Sequence, residues 1–285
     1  NGIWIEEDGK ILISLPGVPH EMRHILNNEG FTKIKSFFDL PSVIYKEIKT
    51  VGIPESDLAL TLSDFENKLP ANLKLAYLPS LGMVKLRLTT HAKHKKDGTD
   101  LIEEHENKLL KIIPNHIYGY NQDELTSIIG ELLNQKKLTI AIAESCTGGY
   151  LSHKITSVPG SSQYYEGSIV AYQNNIKESI LKVSKSTLEN KGAVSEETII
   201  EMANGVRNLL GSDIGFATSG IAGPDGGSKE KPVGTVWIAI SDKDNTYTKK
   251  LQLLTDRDLN IKLSTNKSLE LIWKYLKGYL NQEDI

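Results

Sequence analysis

Residues 138–151, LTIAIAESCTGGYL, place hydroxyl and thiol groups directly after a predicted buried strand. The segment 138–143 is apolar and rich in β-branched residues, which is typical of such a strand. The small residues 144–149 can form a tight turn, and a segment able to continue as a helix follows. Strand, turn and helix together direct several backbone N–H groups and the positive end of a helix dipole to one spot, which favours an anion there.

Two hydroxyls and one thiol in this turn compete for a chemical role. Ser145 or Thr147 can be an activated nucleophile beside an oxyanion hole, or can simply cap the helix, which is the commoner role of these residues. Cys146 is the stronger nucleophile by type, but cysteine also packs as a small buried hydrophobe. The residues of the stretch leave these alternatives open.

A second glycine-rich loop, SGIAGPDGG at residues 219–227, also follows a predicted strand. Loops at the carboxyl ends of parallel strands converge on one crevice, and glycines let backbone amides approach an anionic ligand. The spacing is not that of a Walker A motif. Both loops together predict a ligand site with anion-binding character.

Tyr172 ends a predicted strand, and Lys177 lies on the turn or helix after it. A lysine desolvated in the crevice can act as a general base, although an isolated lysine is more often a solvated surface residue. The histidines are scattered and form no cluster with metal-ligand spacing, so no metal is expected here.

The composition bounds the class of protein. The 285 residues are 39% hydrophobic and 24% charged with a net charge of −3, which is typical of a globular protein with sizeable cores. This balance argues against a general nucleic-acid binder or a membrane-surface protein, and no apolar run approaches the ~18 residues of a spanning helix. A single cysteine excludes disulfides within the chain and fits a reducing cytoplasm, where we expect the protein.

Three units are predicted, at residues 1–30, 31–119 and 120–285. The first has a hairpin around Asp8-Gly9 and a helix opened by Pro19, and is expected to be the end of a domain whose bulk is missing. The second is a small α+β unit, in which the basic patch 91–96 is expected to be a solvated loop.

The third unit alternates strands with helices. It predicts an α/β fold, a three-layer α/β/α domain with a mainly parallel sheet and an antiparallel edge. Its clearest helix is capped by Ser195 and ended by Gly211, and a long helix over 258–280 closes the unit.

Several short motifs in order resemble those of a known family, over about residues 123–280. They are AESCTGG at 143–149, PGSS at 159–162, AYQNNIK at 171–177, GAVS at 192–195, SGIAGPDGG at 219–227, KPVGTVW at 231–237 and DR at 256–257. They resemble the C-terminal domain of CinA proteins. LPGVPHEM at 15–22 is similar to the end of the CinA N-terminal, molybdopterin-binding-like domain, and the middle unit resembles the CinA KH-like domain.

The resemblance implies a nicotinamide mononucleotide deamidase of pyridine-nucleotide salvage. The reaction is metal-free and cofactor-free, and releases nicotinate mononucleotide and ammonia. By resemblance Ser145 is the nucleophile and Lys177 the general base, with Tyr172 and Ser162 completing a hydrogen-bond relay. The candidate substrate-binding residues are Thr147 and Gly148, as an oxyanion hole, then Asn174, Gly220, Gly223, Gly226 and Arg257, of which the glycine loop and Arg257 would hold the phosphate.

Two other functions are compatible with the sequence, a pyrophosphatase remnant and an RNA-binding protein. The chain can be the remnant of a divalent-metal-dependent ADP-ribose pyrophosphatase, the activity linked to the N-terminal domain, with a non-catalytic C-terminal domain. It can also bind RNA through the KH-like unit, although residues 52–55, GIPE, lack the GxxG backbone clamp. We expect a small-molecule nucleotide substrate and a homodimer, without a membrane or nucleic-acid partner.

Overall fold

The computed structural model describes residues 2–38 and 42–280. Its strands form a two-stranded sheet, a four-stranded sheet in the order β4-β5-β3-β6 and a five-stranded sheet in the order β11-β10-β9-β7-β8. The mixed α/β class predicted from the sequence is confirmed.

The N-terminal segment is the predicted hairpin followed by short helices. Strands β1 (Ile3–Glu7) and β2 (Lys10–Ser14) pair antiparallel, and Asp8 and Gly9 turn the chain with φ of 49° and 74°. Helix α1 (Pro19–Ile25), a π-helical turn (Leu26–Gly30) and α2 (Phe31–Phe37) follow. Within the described residues 2–38, Gly30 alone is buried, as expected of a segment without a core of its own.

The four-stranded sheet carries two helices on one face. Ile48 of β3 and Leu86 of β5 pack there against Leu58 of α3 and Leu109 of α4. All pairings in this sheet are antiparallel. Its elements are β3 (Ser42–Val51), α3 (Glu55–Asn67), β4 (Leu73–Ser80), β5 (Met83–Ala92), α4 (Lys95–Ile112) and β6 (Ile117–Tyr120).

Two features of this unit differ from the sequence prediction. The basic patch 91–96 is exposed at five of its six residues, as predicted, but only residues 93–94 form a loop, because β5 stays paired with β3 as far as Ala92 and α4 already begins at Lys95. Strand β6 was not predicted, since four residues carry too short a pattern and the strand exists through pairing with β3. Pairing with β3 extends β5 into the basic patch and forms β6, so hydrogen bonds between distant segments account for both differences.

The five-stranded sheet is parallel over three strands and antiparallel at one edge. Strand β7 pairs in parallel with β8 and β9, while β10 and β11 continue antiparallel from β9. The predicted mainly parallel sheet with an antiparallel edge is therefore confirmed. Its elements are α5 (Leu125–Lys136), β7 (Ile140–Glu144), α6 (Tyr150–Thr156), a 3₁₀ turn (Ser161–Gln163), β8 (Tyr165–Val170), α7 (Asn174–Ser179), α8 (Lys185–Asn190), α9 (Glu196–Leu210), β9 (Ile214–Gly220), β10 (Thr235–Ser241), β11 (Thr246–Gln252) and α10 (Arg257–Lys277).

Alternating residues of β7 divide this domain into three layers. Ile140 and Ile142 pack with the layer of α5, α6 and α10, whereas Ala141 and Ala143 pack with α9 and the segment after α7. Because side chains alternate across a strand, one strand builds two different cores. The small side chains on the second face bring α9 close to the sheet.

Gly205 lies where α9 meets the chain that follows α7. A Cβ atom at this position would lie 2.1 Å from the carbonyl oxygen of Leu181, which is backbone and cannot move aside. The amide of Val183 donates in turn to the carbonyl of Lys177 at 3.0 Å. The close approach therefore fixes the backbone that carries Lys177.

We expect Gly205→Ala to destabilise the domain. Alanine normally stabilises a helix interior by about 1 kcal/mol relative to glycine, but here the overlap with Leu181 should reverse the sign and cost roughly 1–3 kcal/mol. Urea unfolding measures the change. Asn208→Ala, at an exposed position of the same helix, is the control and should be neutral or stabilising; equal effects of the two variants would contradict the expectation.

Candidate active site

A cavity of about 270 Å³ opens where the carboxyl ends of β7, β8 and β9 meet. The predicted convergence of the loops after these strands is therefore seen. The structure brings together eight predicted site residues on its walls: Ser145, Lys177, Tyr172, Asn174, Gly220, Gly223, Gly226 and Arg257.

Ser145 and Lys177 form the buried end of this cavity. The Lys177 Nζ atom donates to Ser145 Oγ at 3.1 Å and to the carbonyl oxygen of Ala171 at 2.6 Å. Lys177 is 1% exposed and Ser145 is 8% exposed. Lys177 is therefore not the solvated surface residue that the sequence alone allowed.

Burial lowers the pKa of the Lys177 amine from its ordinary 10.5 to about 8. Desolvation is the principal cause, because it penalises the charged ammonium. Among the described residues no carboxylate forms an ion pair with Lys177 that would restore its charge. About a tenth of the amine is thus neutral at pH 7, and most of it is neutral above pH 8.

Cys146 lies beside Ser145 but is poorly suited to attack. Its thiol is 5% exposed, and burial raises its pKa to about 12. A thiol attacks as the thiolate, which is scarce at this pKa. The geometry therefore favours the serine, whose hydroxyl accepts the lysine hydrogen bond.

Glu144 occupies the helix end at which an anion was predicted. Its fully buried carboxylate accepts from the amides of Gly149 at 3.0 Å, Leu151 at 3.1 Å and Ser152 at 2.8 Å, and from the Ser152 hydroxyl. Gly148 donates its N–H to the carbonyl of Ser145. The anion favoured at the N-terminus of α6 is thus the chain's own carboxylate, and the amides that it takes are not open to a ligand.

Neither Thr147 nor Gly148 lies on the cavity wall, and the Gly148 amide is not free for the predicted oxyanion hole. The Thr147 hydroxyl is 2.8 Å from that of Thr218 in the interior, and the Gly148 amide is taken by Ser145. In the part of the chain that the structure describes, the N–H groups of Cys146 and Thr147 bond to no other residue. Of the amides in this turn, these two, rather than that of Gly148, remain without a bond to another residue.

Ser162 lies near the amino-terminal ends of the parallel strands, whereas Ser145 lies at their carboxyl ends. It belongs to the 3₁₀ turn before β8, and β8 runs parallel to β7 with Tyr165 opposite Ile140. Ser145 instead follows the last residue of β7. The length of a five-residue strand, about 15 Å, therefore separates the two, and the predicted relay through Ser162 is not formed.

Tyr172 and Arg257 form the outer rim. The Tyr172 hydroxyl accepts from Arg257 Nη2 at 2.9 Å, and Arg257 Nη1 donates to the carbonyl of Gly223 at 2.8 Å. Only the main-chain carbonyl of Tyr172 approaches Lys177, at 3.4 Å from Nζ. The phenol thus points toward Arg257 and does not complete the predicted relay with the lysine.

Sequence reasoning gave no individual role to several lining residues. Ala193 and Val194 contribute from the GAVS segment, which Ser219 holds by donating its hydroxyl to the Ala193 carbonyl at 2.7 Å. The signal was the position of GAVS just before the capped helix α9. Asp225 also lines the cavity, within a loop that was considered only for its glycines.

Neither a metal-ligand cluster nor a membrane-spanning helix occurs among the described residues. No group of three or more histidine, cysteine, aspartate or glutamate side chains could hold a metal ion. No helix in residues 2–38 and 42–280 is long and apolar enough to span a membrane.

Comparison with known proteins gives the same assignment over most of the chain. Residues 122–276 match the family described as the CinA C-terminal domain, and residues 45–119 match the damage-inducible protein CinA KH domain. A CinA-like protein of Cytophaga hutchinsonii is 48% identical over 97% of this chain and 66% of its own length. A putative competence-damage inducible protein of Halothermothrix orenii is 42% identical over 97% of this chain and 66% of its own length. The chain thus spans about two thirds of the length of these curated relatives.

Solved structures resemble the C-terminal part. A CinA superfamily protein from Klebsiella pneumoniae has 30% identity and a TM-score of 0.53, over 55% of this chain and 99% of its own. The competence/damage inducible protein CihA of Agrobacterium tumefaciens has 33% identity and a TM-score of 0.51, over 54% of this chain and 93% of its own.

We expect Lys177 to make stability depend on pH. Its pKa is about 8 in the folded chain and near 10.5 when unfolded, so the unfolded chain binds more protons between these values and stability rises with pH there. From about pH 7.5 to about pH 9.5, the free energy of unfolding should rise by about 2 kcal/mol more in the wild type than in Lys177→Met. Urea unfolding at both pH values measures the difference. Lys136→Met, which removes an exposed lysine, should show the same rise in the free energy of unfolding as the wild type. If Lys177→Met also showed the wild-type rise, Lys177 would not be the group whose pKa is lowered.

We expect Glu144→Gln to destabilise the turn at residues 144–149. The glutamine NH₂ group would face amide donors that now bond a carboxylate oxygen, and charged hydrogen bonds of this kind contribute about 1.5–3 kcal/mol. Thermal unfolding compares this variant with Glu178→Gln, which changes an exposed carboxylate on α7. Unfolding temperatures that fall equally, or not at all, would show that Glu144 does not hold the turn.

Proposed function

The chain belongs to the CinA family, and from this premise we propose that its C-terminal domain is an amidohydrolase that deamidates nicotinamide mononucleotide. The products would be nicotinate mononucleotide and ammonia. The observation that carries the proposal is the buried hydrogen bond of 3.1 Å between Lys177 Nζ and Ser145 Oγ at the end of the cavity. A hydroxyl beside an amine of lowered pKa is a nucleophile with its base.

The first half-reaction begins with a proton transfer to Lys177. The neutral amine accepts the Ser145 proton while Oγ attacks the carboxamide carbon, which gives a tetrahedral intermediate with a negative oxygen. The N–H groups of Cys146 and Thr147 are the donors that remain for this oxygen. The Lys177 ammonium then gives its proton to the leaving nitrogen, ammonia departs, and the nicotinoyl group stays on Ser145 as an ester.

The second half-reaction reverses these roles with water. Lys177, neutral again, accepts a proton from water as its oxygen attacks the ester carbon. The ammonium returns a proton to Ser145 Oγ, and the nicotinate product leaves. In both halves the carbonyls of Ala171 and Tyr172 accept hydrogen bonds from the amine and hold it in place as its charge changes.

Arg257 supports the proposal that the substrate is a nucleotide. Two of its five N–H donors are used, toward Gly223 and Tyr172, which fixes the guanidinium at the rim and leaves three donors. A fixed guanidinium is suited to a phosphate. Because Glu144 already occupies the α6 terminus, we assign the 5′-phosphate to this rim and to the loop of Gly220, Gly223 and Gly226.

The contacts of the middle unit do not favour the RNA-binding alternative. The loop after β3, where a KH backbone clamp was sought, packs against α10. A Cβ atom at Gly52 would lie 2.8 Å from Glu270 Oε1, and Asn266 donates to the carbonyl of Leu81 at 2.8 Å. Backbone that packs on another helix is not open to a nucleic acid. The pyrophosphatase alternative stays an untested hypothesis.

We expect the chain to release ammonia from nicotinamide mononucleotide, undiminished by EDTA and dialysis. Ser145→Ala and Lys177→Met should each lose roughly 10³-fold or more in kcat, and the double variant should be little worse because the pair acts as a unit. In the wild type kcat/KM should rise with pH and level off above a midpoint of about 8, where Lys177 becomes neutral.

Cys146→Ala is the matched control, since it removes the adjacent nucleophile. It should keep most of the rate, because the buried thiol takes no part in the proposed chemistry. Circular dichroism establishes that each variant is folded. An active Ser145→Ala with an inactive, folded Cys146→Ala would assign the attack to the thiol. Activity lost to EDTA and restored only by added metal would refute the metal-free mechanism.

A further inference from the structure

Two opposite charges line the same cavity without neutralising each other. Asp225 and Arg257 are both on its wall. Neither forms an ion pair with any residue in the described ranges, and the guanidinium bonds only to the neutral oxygens of Gly223 and Tyr172. Opposite charges held on one rim but not paired are complementary to a ligand that carries both signs.

The loop that carries Asp225 is held in place on both sides. Before it, the Gly223 carbonyl accepts from Arg257 and the Ala222 carbonyl accepts from Asn260 Nδ2 at 2.9 Å. After it, Gly227 packs closely on the backbone of Val233. Asp225 itself is exposed and accepts no side-chain hydrogen bond from the described residues. Its carboxylate is thus presented from a fixed backbone with its acceptor capacity unused.

The remaining charged residue of the cavity wall is Lys177, which must be neutral to act as a base. Asp225 is the one carboxylate among the described residues that line the cavity. A nucleotide with an ordinary neutral base would meet Arg257 with its phosphate and leave Asp225 facing uncharged groups. A nucleotide whose base is a quaternary pyridinium would present a permanent positive charge as well as the phosphate.

We propose that Asp225 is a specificity-determining residue, which selects a zwitterionic nucleotide by facing the positive charge of its base while Arg257 holds its phosphate. This inference rests on the proposed deamidase function and deepens it. It predicts that the ring charge and the phosphate are recognised by separate residues. Loss of one should leave recognition of the other intact.

Binding to inactive protein separates these two contributions. The Ser145→Ala background removes turnover, and calorimetry gives Kd for three probes. Nicotinamide mononucleotide has ring charge and phosphate; its dihydro form keeps the ribose, carboxamide and phosphate but has a neutral ring; nicotinamide riboside has the ring charge without the phosphate. Asp225→Asn and Arg257→Gln are made in this background. Glu230→Gln is the matched control, because Glu230 is an exposed carboxylate that also lies between β9 and β10 but does not line the cavity.

Asp225→Asn should raise the Kd of nicotinamide mononucleotide and of the riboside by about five- to tenfold, as expected for one partly solvated charge pair. The Kd of the dihydro nucleotide should stay within about twofold. Arg257→Gln should weaken the binding of both nucleotides by roughly tenfold or more. It should weaken that of the riboside by no more than about twofold, because Asn260 still holds the loop before Asp225. Glu230→Gln should leave the Kd of all three probes unchanged. Raising the salt concentration should reduce the effect of Asp225→Asn on the mononucleotide.

Three outcomes would overturn the inference. If Asp225→Asn weakened the oxidised and the dihydro nucleotide equally, Asp225 would bind the ribose hydroxyls instead of the ring charge. If it changed neither, the carboxylate would have no role in recognition. If the wild-type chain released no ammonia from nicotinamide mononucleotide and the Ser145→Ala chain bound none of the probes, the proposed function itself would fall, and the inference with it. Ammonia release by the wild-type chain, together with either of the first two outcomes, would refute the inference and leave the proposed function standing.

Discussion

The site depends on the removal of one amine from water. An ammonium with an ordinary pKa would hold its proton at physiological pH, and burial is what lowers the pKa of Lys177 to about 8. That burial requires the surrounding architecture: the backbone of Ala171 and Tyr172 supplies hydrogen bonds to the amine, and the chain after α7 is locked against α9 at Gly205. The domain thus tolerates a poorly solvated amine beside the Ser145 hydroxyl. This is the kind of local cost that functional sites commonly carry.

Much of the fold and part of the site followed from the sequence. The strand ends before Ser145 and Ser219, and the position of Lys177 after another strand, sufficed to predict that these residues share one crevice, because parallel strands end at the same edge. The same reasoning places Ser162, which precedes β8, at the opposite ends of the strands; its predicted role came from the family resemblance and not from strand direction. Strand β6 depends on pairing with the distant β3, which short sequence windows do not contain.

The anion favoured at the N-terminus of α6 is supplied by the chain itself. Strand, small-residue turn and helix do produce an anion site, but the turn is short enough that Glu144 reaches it from the preceding position. Residue types cannot distinguish a site for a ligand from a site filled by the chain, since both need the same free amides. Only the backbone path decides which N–H groups remain. In this protein they belong to Cys146 and Thr147, one step earlier than expected, whereas the guanidinium on the cavity wall, Arg257, comes from a different element.

The alanines on the α9 side of the sheet have a consequence for how such a domain can evolve. Ala141, Ala143, Ala217 and Ala239 set the spacing between the sheet and the helix, and the segment bearing Lys177 is packed into that spacing. Enlarging one of these methyl groups would wedge the layers apart and admit water beside the amine, which would return its proton affinity toward that of a free lysine. The pKa of Lys177 is therefore adjustable from residues that do not line the cavity. Core volume on this side of the sheet can change it while the residues of the cavity stay the same.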